Sequence, residues 1–155
     1  MPVMDMKALR AALAPGQRIL GLDLGEKTIG LAISDGTHTV ASPLETLRRT
    51  KFQADAQALE RIMDERGCTA LVLGLPINMD GSEGPRCQSV RQFGANLLAR
   101  RDVPLAFWDE RLSTASVERM LVGEADLSRR RRAQVVDKLA AAYILQAALD
   151  ASRPA

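Results

Sequence analysis

Three acidic residues could do chemistry together: Asp23, Glu110 and Asp137. Asp23 lies in the stretch from Arg18 to Asp35, on a face shared with Ile19 and Gly21. A lone carboxylate among apolar or small neighbours is costly to bury unless a cation pairs with it. The same Asp could instead cap the turn, accepting main-chain N–H groups beside Gly25. Glu110 follows an apolar run that ends in Trp108 and Asp109. Open α/β sheets carry their reactive groups beyond the carboxyl ends of their strands, although paired acids are also common in solvated turns. Asp137 falls one helical turn from Ala133, Ala140 and Ala141 and two turns from Ile144, a small and apolar setting for an acid. If the three converge, they form a carboxylate cluster without histidine or cysteine. Hard oxygen ligands suit Mg²⁺ or Mn²⁺. Two such ions can polarise a phosphodiester, activate a water and stabilise the leaving oxygen. Like charges so close cannot all stay ionised without cations, so such a site requires metal.

The elements that must position these acids can be read in order. Two apolar runs around Gly25, Glu26, Lys27 and Thr28 predict a β-hairpin. Ile29, Leu31 and Ile33 form a bulky face of its second strand, and Gly30, Ala32 and Ser34 a small one. Thr37 to Ser42 predicts a third strand, with His38 as an exposed strand residue. Helical spacing predicts a helix over Phe52–Arg66, stopped by Gly67. Ala70–Leu75 reads as a central parallel strand buried on both faces. It enters a turn-rich loop over residues 76–84, and Pro85 opens a helix that turns Val90, Phe93, Leu97 and Leu98 inward. Val103–Trp108 predicts the last strand. Ser113 or Thr114 can cap a short helix carrying Val117, Met120 and Leu121, and Ser128 a long one reaching about Asp150. Residues 1–15 predict a short N-terminal helix without chemistry of its own. The organisation is therefore an N-terminal helical arm over 1–16 and a single domain over 17–155. Its fold class is α/β, a five-stranded mixed sheet flanked by helices on both faces.

Composition narrows the function. The chain has 155 residues, enough for one domain with a real core. Aromatic residues make up only 3%, which argues against a platform that stacks many bases. A net charge of +2 permits a nucleic-acid partner without demanding one. Cys68, Cys87 and the single histidine lack zinc-ligand spacing and exclude most His-dependent hydrolases. No leader or long apolar run is apparent, so no membrane role and a cytoplasmic location are expected. Arg129, Arg130, Arg131 and Arg132 open the last helix, where cations oppose the macrodipole. They either hold phosphates or form a solvated basic turn.

Four stretches then resemble one family. They are residues 21–35 (GLDLGEKTIGLAISD), 74–84 (GLPINMDGSEG), 109–114 (DERLST) and 136–146 (VDKLAAAYILQ). In this order they resemble the YqgF/RuvX family of pre-16S rRNA nucleases, relatives of Holliday-junction resolvases. The resemblance implies a ribonuclease H-like fold, with Asp23, Glu110 and Asp137 as catalytic acids that hold Mg²⁺ or Mn²⁺, and Asp109 in support. It implies phosphodiester hydrolysis in trimming the 5′ end of precursor 16S rRNA. Precursor rRNA, structured DNA and ribosomal assembly particles are the expected partners of a monomer or weak homodimer. Arg111, Arg129, Arg130, Arg131, Arg132 and Lys27 would contact nucleic acid, with the loop at 76–84 bordering the groove. Three rivals stand beside it: an ATP-binding protein of the actin and sugar-kinase type, a DNA junction resolvase, and a non-catalytic rRNA or transcription partner. The first shares the hairpin but needs a second lobe that this length does not allow.

Overall fold

The protein is described from a computed structural model, which covers residues 3–112 and 129–154, with side chains described outside 112 and 129–137. The predicted short helix after Ser113 and the loop at 123–127 lie outside the described residues.

Strands β1 (Arg18–Leu24) and β2 (Thr28–Ser34) form the predicted hairpin, and Gly25 N–H donates to Thr28 O at 2.8 Å across its turn. β3 (Ala41–Arg48) pairs antiparallel with β2. β4 (Cys68–Leu75) and β5 (Leu105–Asp109) add in parallel on the other side, giving a five-stranded sheet of order β3-β2-β1-β4-β5. The expected strand over 37–42 is displaced towards the C-terminus. Asp35 accepts main-chain N–H bonds from Thr39 and Val40, at 2.8 and 3.0 Å, and so folds residues 35–40 into a turn. His38 sits in that turn with φ 60°. It is buried rather than exposed, with Nε2 2.6 Å from Gln17 O. Pro43 within β3 is tolerated because β3 is an edge strand and the register shifts beside it.

Helices α2 (Phe52–Arg66) and α3 (Pro85–Arg100) pack on one face of the sheet. α2 ends where Gly67 adopts φ 71°, the left-handed conformation glycine takes without strain. Leu20, Leu22, Leu24, Leu71 and Leu73 meet Leu59, Met63, Val90 and Phe93 there in the larger core. Helix α4 (Arg129–Ala151) covers the opposite face. The short α1 (Met6–Ala11), capped by Asp5, buries Met6 and Leu9 in this second core. Arg10 donates to Leu149 O at 3.0 Å, and Val3 bridges Leu105 at the start of β5. The C-terminal end of α4 thus lies near the amino ends of the parallel strands, and its N-terminal half points towards their carboxyl ends.

Candidate active site

Strand alternation sends Ile19, Gly21 and Asp23 to the α4 face, with Ala32 of β2, Ala70, Val72 and Gly74 of β4, and Ala106 of β5. Beside Ile19 and Val72 this surface is built of small side chains, and α4 meets it with Ala141, Ala142 and Ala148 among Ile144, Leu145 and Leu149, so helix and sheet come close. A Cβ added at Gly21 would lie 3.0 Å from Leu145 Cβ and 3.5 Å from Ala141 O.

Asp23 occupies the end of β1 where pairing becomes one-sided. It still faces Gly30 on β2, while the last β1–β4 pair is Leu22 with Leu73. Glu110 begins the 3-10 turn Glu110–Leu112 directly after β5. β4 lies between β1 and β5, so the two acids start about two strand spacings apart, roughly 10 Å. Their carboxyl groups nevertheless hydrogen-bond to one another. The contact is possible because the Glu110 side chain crosses β4 over Gly74. A Cβ at residue 74 would fall 2.7 Å from Glu110 Oε1 and 2.7 Å from Ile144 Cδ1. Burial pushes the Glu110 carboxyl up to about 8, helped by its hydrogen bond to Asp23 and by that neighbour's negative charge. The positive charge of Arg86 pulls the other way, and Asp109 adds a little repulsion. Two carboxyls this close, one held protonated, make a place where a divalent cation would displace the proton and satisfy both.

Among the described residues no group of three metal-ligating side chains is assembled. Asp137 lies on α4, one turn before Ala141, and its side chain falls outside the described residues. The same holds for Arg129, Arg130, Arg131 and Arg132 in the first turn of that helix. Asp109 is not beside Asp23. Its carboxylate is held by the Arg111 fork at 2.6 Å, and that hydrogen bond keeps it below the usual carboxylate range. Arg111 also donates to Asn78 O at 3.4 Å, and so pins the 76–84 loop to the end of β5. Lys27 stands exposed on the hairpin turn.

Gly74 and Arg86 belong to this site and were not singled out by the sequence. Gly74 carries a usable signal, since a lone glycine inside a buried strand marks a close approach. Arg86 has none beyond its place in the first turn of α3 after Pro85. Its Nη2 donates to Leu24 O at 3.4 Å, so it reaches the end of β1 as well as the surroundings of Glu110.

A family model described as "RuvX: Holliday junction resolvase" matches residues 17–151. A protein of Paramagnetospirillum magneticum is 61% identical over 150 residues, covering 97% of this chain and 96% of its own. One of Phenylobacterium zucineum is 60% identical over 154 residues, with 99% of each covered. Both bear the name "putative pre-16S rRNA nuclease". Among solved structures, Thermus thermophilus RuvC in complex with a Holliday junction substrate superposes with TM-score 0.52 at 15% identity, over 87% of this chain and 94% of that one. The yeast mitochondrial Holliday junction resolvase Ydc2 gives 0.50 at 13%, over 95% and 86%. At that identity the superpositions speak for the fold alone, and the fold is ribonuclease H-like. The chain belongs to the RuvX family.

Proposed function

We propose that this RuvX-family chain is a divalent-metal-dependent nuclease that hydrolyses phosphodiester bonds in the 5′ region of precursor 16S rRNA. One observation carries the proposal: the carboxyl groups of Asp23 on β1 and Glu110 just beyond β5 meet over Gly74, at the carboxyl ends of the parallel strands. The names of its relatives support the choice of substrate. Asp23 and Glu110 would hold Mg²⁺ or Mn²⁺, with Asp137 as the third acid. Helical spacing puts Asp137 in line with Ala141 and Ile144, which with Leu145 are the residues of α4 that approach Gly21 and Gly74. A bound divalent ion supplies Lewis-acid polarisation of a phosphoryl oxygen and a water acidic enough to attack near neutral pH.

The chain's own residues do the rest. β1 carries Asp23, the end of β5 carries Glu110 across Gly74 of β4, and α4 packs over this face. Arg86 stands beside Glu110 with a guanidinium suited to a phosphate oxygen. The Asp109–Arg111 fork fixes the 76–84 loop as one wall of the groove. Lys27 and Arg129 to Arg132 supply further positive charge for the strand. Residues 17–155 act as one nuclease domain to which the arm at 1–16 is docked through Leu9. No described helix is long and apolar enough to cross a membrane. As part of the same proposal, the protein would work in the cytoplasm on assembling ribosomal particles, as a monomer or weak homodimer.

The test is cleavage of labelled 16S precursor by wild type and Asp23→Asn with Mg²⁺, Mn²⁺ or EDTA, beside a four-way DNA junction. Metal-dependent cutting of the RNA by wild type alone is expected. Cutting of the junction but not the RNA would transfer the activity to DNA. Equal cutting by Asp23→Asn would remove the carboxylate site.

A further inference from the structure

On the other side of the hairpin turn, away from α4, a cavity of about 430 Å³ opens between the turn, the β3–α2 connection and the start of α3. Gly25 and Glu26 line it from the turn, Arg49 and Thr50 from the connection, and Arg86 and Ser89 from α3. Among the described residues, both guanidiniums donate to main-chain carbonyls rather than to carboxylates. Arg49 Nη1 meets Gly25 O at 2.6 Å, and Arg86 Nη2 meets Leu24 O at 3.4 Å. Arg49 is further steadied by stacking over the Phe93 ring at 5.5 Å. Each fork therefore keeps further N–H groups for a ligand in the cavity. The Ser89 hydroxyl adds a neutral donor, the Thr50 hydroxyl already donates to Asp55 Oδ1 at 2.9 Å, and Glu26 is the one carboxylate lining this first hollow.

The cavity continues into a second hollow of about 210 Å³ that shares Arg49, Thr50 and Ser89 and reaches Gln92, Asn96 and the Asp55 carboxylate, which the Thr50 N–H and hydroxyl hold. Ser89, Gln92 and Asn96 follow one face of α3, so the two hollows make a polar track along that helix. The track begins one residue after Asp23, because Leu24, whose carbonyl Arg86 engages, is the next residue of β1.

We propose that this track carries a nucleic-acid strand past the carboxylate pair, and that Arg49 and Arg86 grip the phosphate neighbouring the scissile one. The inference rests on the nuclease reading for its strand, and on the cavity and its two guanidiniums for its place. Two forks converging from separate elements suit a phosphodiester, which offers oxygens in two directions. The size of the hollow admits the attached nucleotide as well. Arg86 would then serve both places, its fork on the flanking phosphate and its positive charge felt at Glu110.

The test is equilibrium binding of a short single-stranded RNA, in EDTA so that nothing is cut, across a series of salt concentrations. The proteins are wild type, Arg86→Gln, Arg49→Lys and, as a control on the exposed face of α2, Arg61→Gln. One RNA carries a 5′-phosphate and its twin a 5′-hydroxyl. Arg86→Gln should bind about tenfold more weakly at low salt, with the slope of log K against log salt reduced by about 0.7. Arg49→Lys keeps the charge and the fold but loses the fork, so it should weaken binding with little change in slope. Arg61→Gln should match wild type. The same loss on both RNAs assigns an internal phosphate, and a loss confined to the 5′-phosphorylated RNA assigns a terminal one. Wild-type affinity and slope for Arg86→Gln on both RNAs would overturn the proposal. Because binding is read without metal, a failure of the carboxylate site in the cleavage assay leaves this result standing, and the reverse also holds.

Discussion

The two faces of the sheet are built to opposite rules. Against α2 and α3 the strands present leucines, among them Leu20, Leu22, Leu71 and Leu73, all of them buried. Each such side chain contributes about 1.5–3 kcal/mol through removal from water, so this face carries most of the stability. Against α4 the strands present mostly small residues, Gly21, Ala32, Ala70, Gly74 and Ala106, beside Ile19 and Val72. That surface buries less per residue but lets a helix come close and a glutamate lie across a strand. The lesson is that the weaker face is the one with the chemistry. Small residues there leave room for carboxyls, which the leucine face could not accommodate.

The comparison can be broken by changing one face at a time. On the leucine face, Leu59→Ala should cost about 2–5 kcal/mol in unfolding free energy and leave the cleavage rate of the folded fraction unchanged. Denaturant melts beside rates corrected for folded protein check both halves. On the small face, Gly74→Ala should do the reverse in emphasis. The new Cβ would meet Glu110 Oε1 at 2.7 Å, and a displacement of that order slows cleavage roughly a hundredfold, about 2.7 kcal/mol of barrier. A Gly74→Ala enzyme as fast as wild type would mean that Glu110 need not cross β4. Gly21→Ala presses on Leu145 rather than on an acid, so it should cost about 1–3 kcal/mol of stability and affect the rate less than Gly74→Ala. The smallest effect is one of pH, softened because Glu110 is partly open to solvent. Its carboxyl rises from an ordinary 4.5 to about 8 on folding, so the stability it contributes is fully present below pH 4.5 and is lost as pH climbs through 8. In EDTA, wild type should therefore lose thermal stability relative to Glu110→Gln over that interval, and Mg²⁺ should restore it. Parallel melting curves for the two proteins from acid to pH 9 would contradict the raised carboxyl.

Much of this was legible in the residues. The hairpin, α2, the buried β4 and the start of α3 at Pro85 follow from apolar periodicity and from Gly67 and Pro85 as punctuation. Asp23 stood out as a lone acid among apolar and small strand neighbours, and Glu110 as an acid just beyond an apolar run. What was not legible depends on the third dimension. Nothing local says that Asp35 would gather Thr39 and Val40 into a turn and push β3 along the chain. Nor does local sequence reveal that His38 would be buried against Gln17 O, a contact made across 21 residues. The reach of Glu110 over Gly74 needs the strand order, because only with β4 between β1 and β5 does a glycine at 74 matter. Nothing local marks Arg49 or Arg86, because only the fold sets the end of β1 and its hairpin turn within reach of both.

The measurement that tests the central claim most directly is Mn²⁺ binding to Asp137→Asn, followed by electron paramagnetic resonance beside wild type. If the small face exists to bring the acid of α4 over Asp23 and Glu110, the variant should keep the wild-type fold and bind Mn²⁺ at least about tenfold more weakly. Binding equal to wild type would mean that the helix covers the carboxylate pair without completing it.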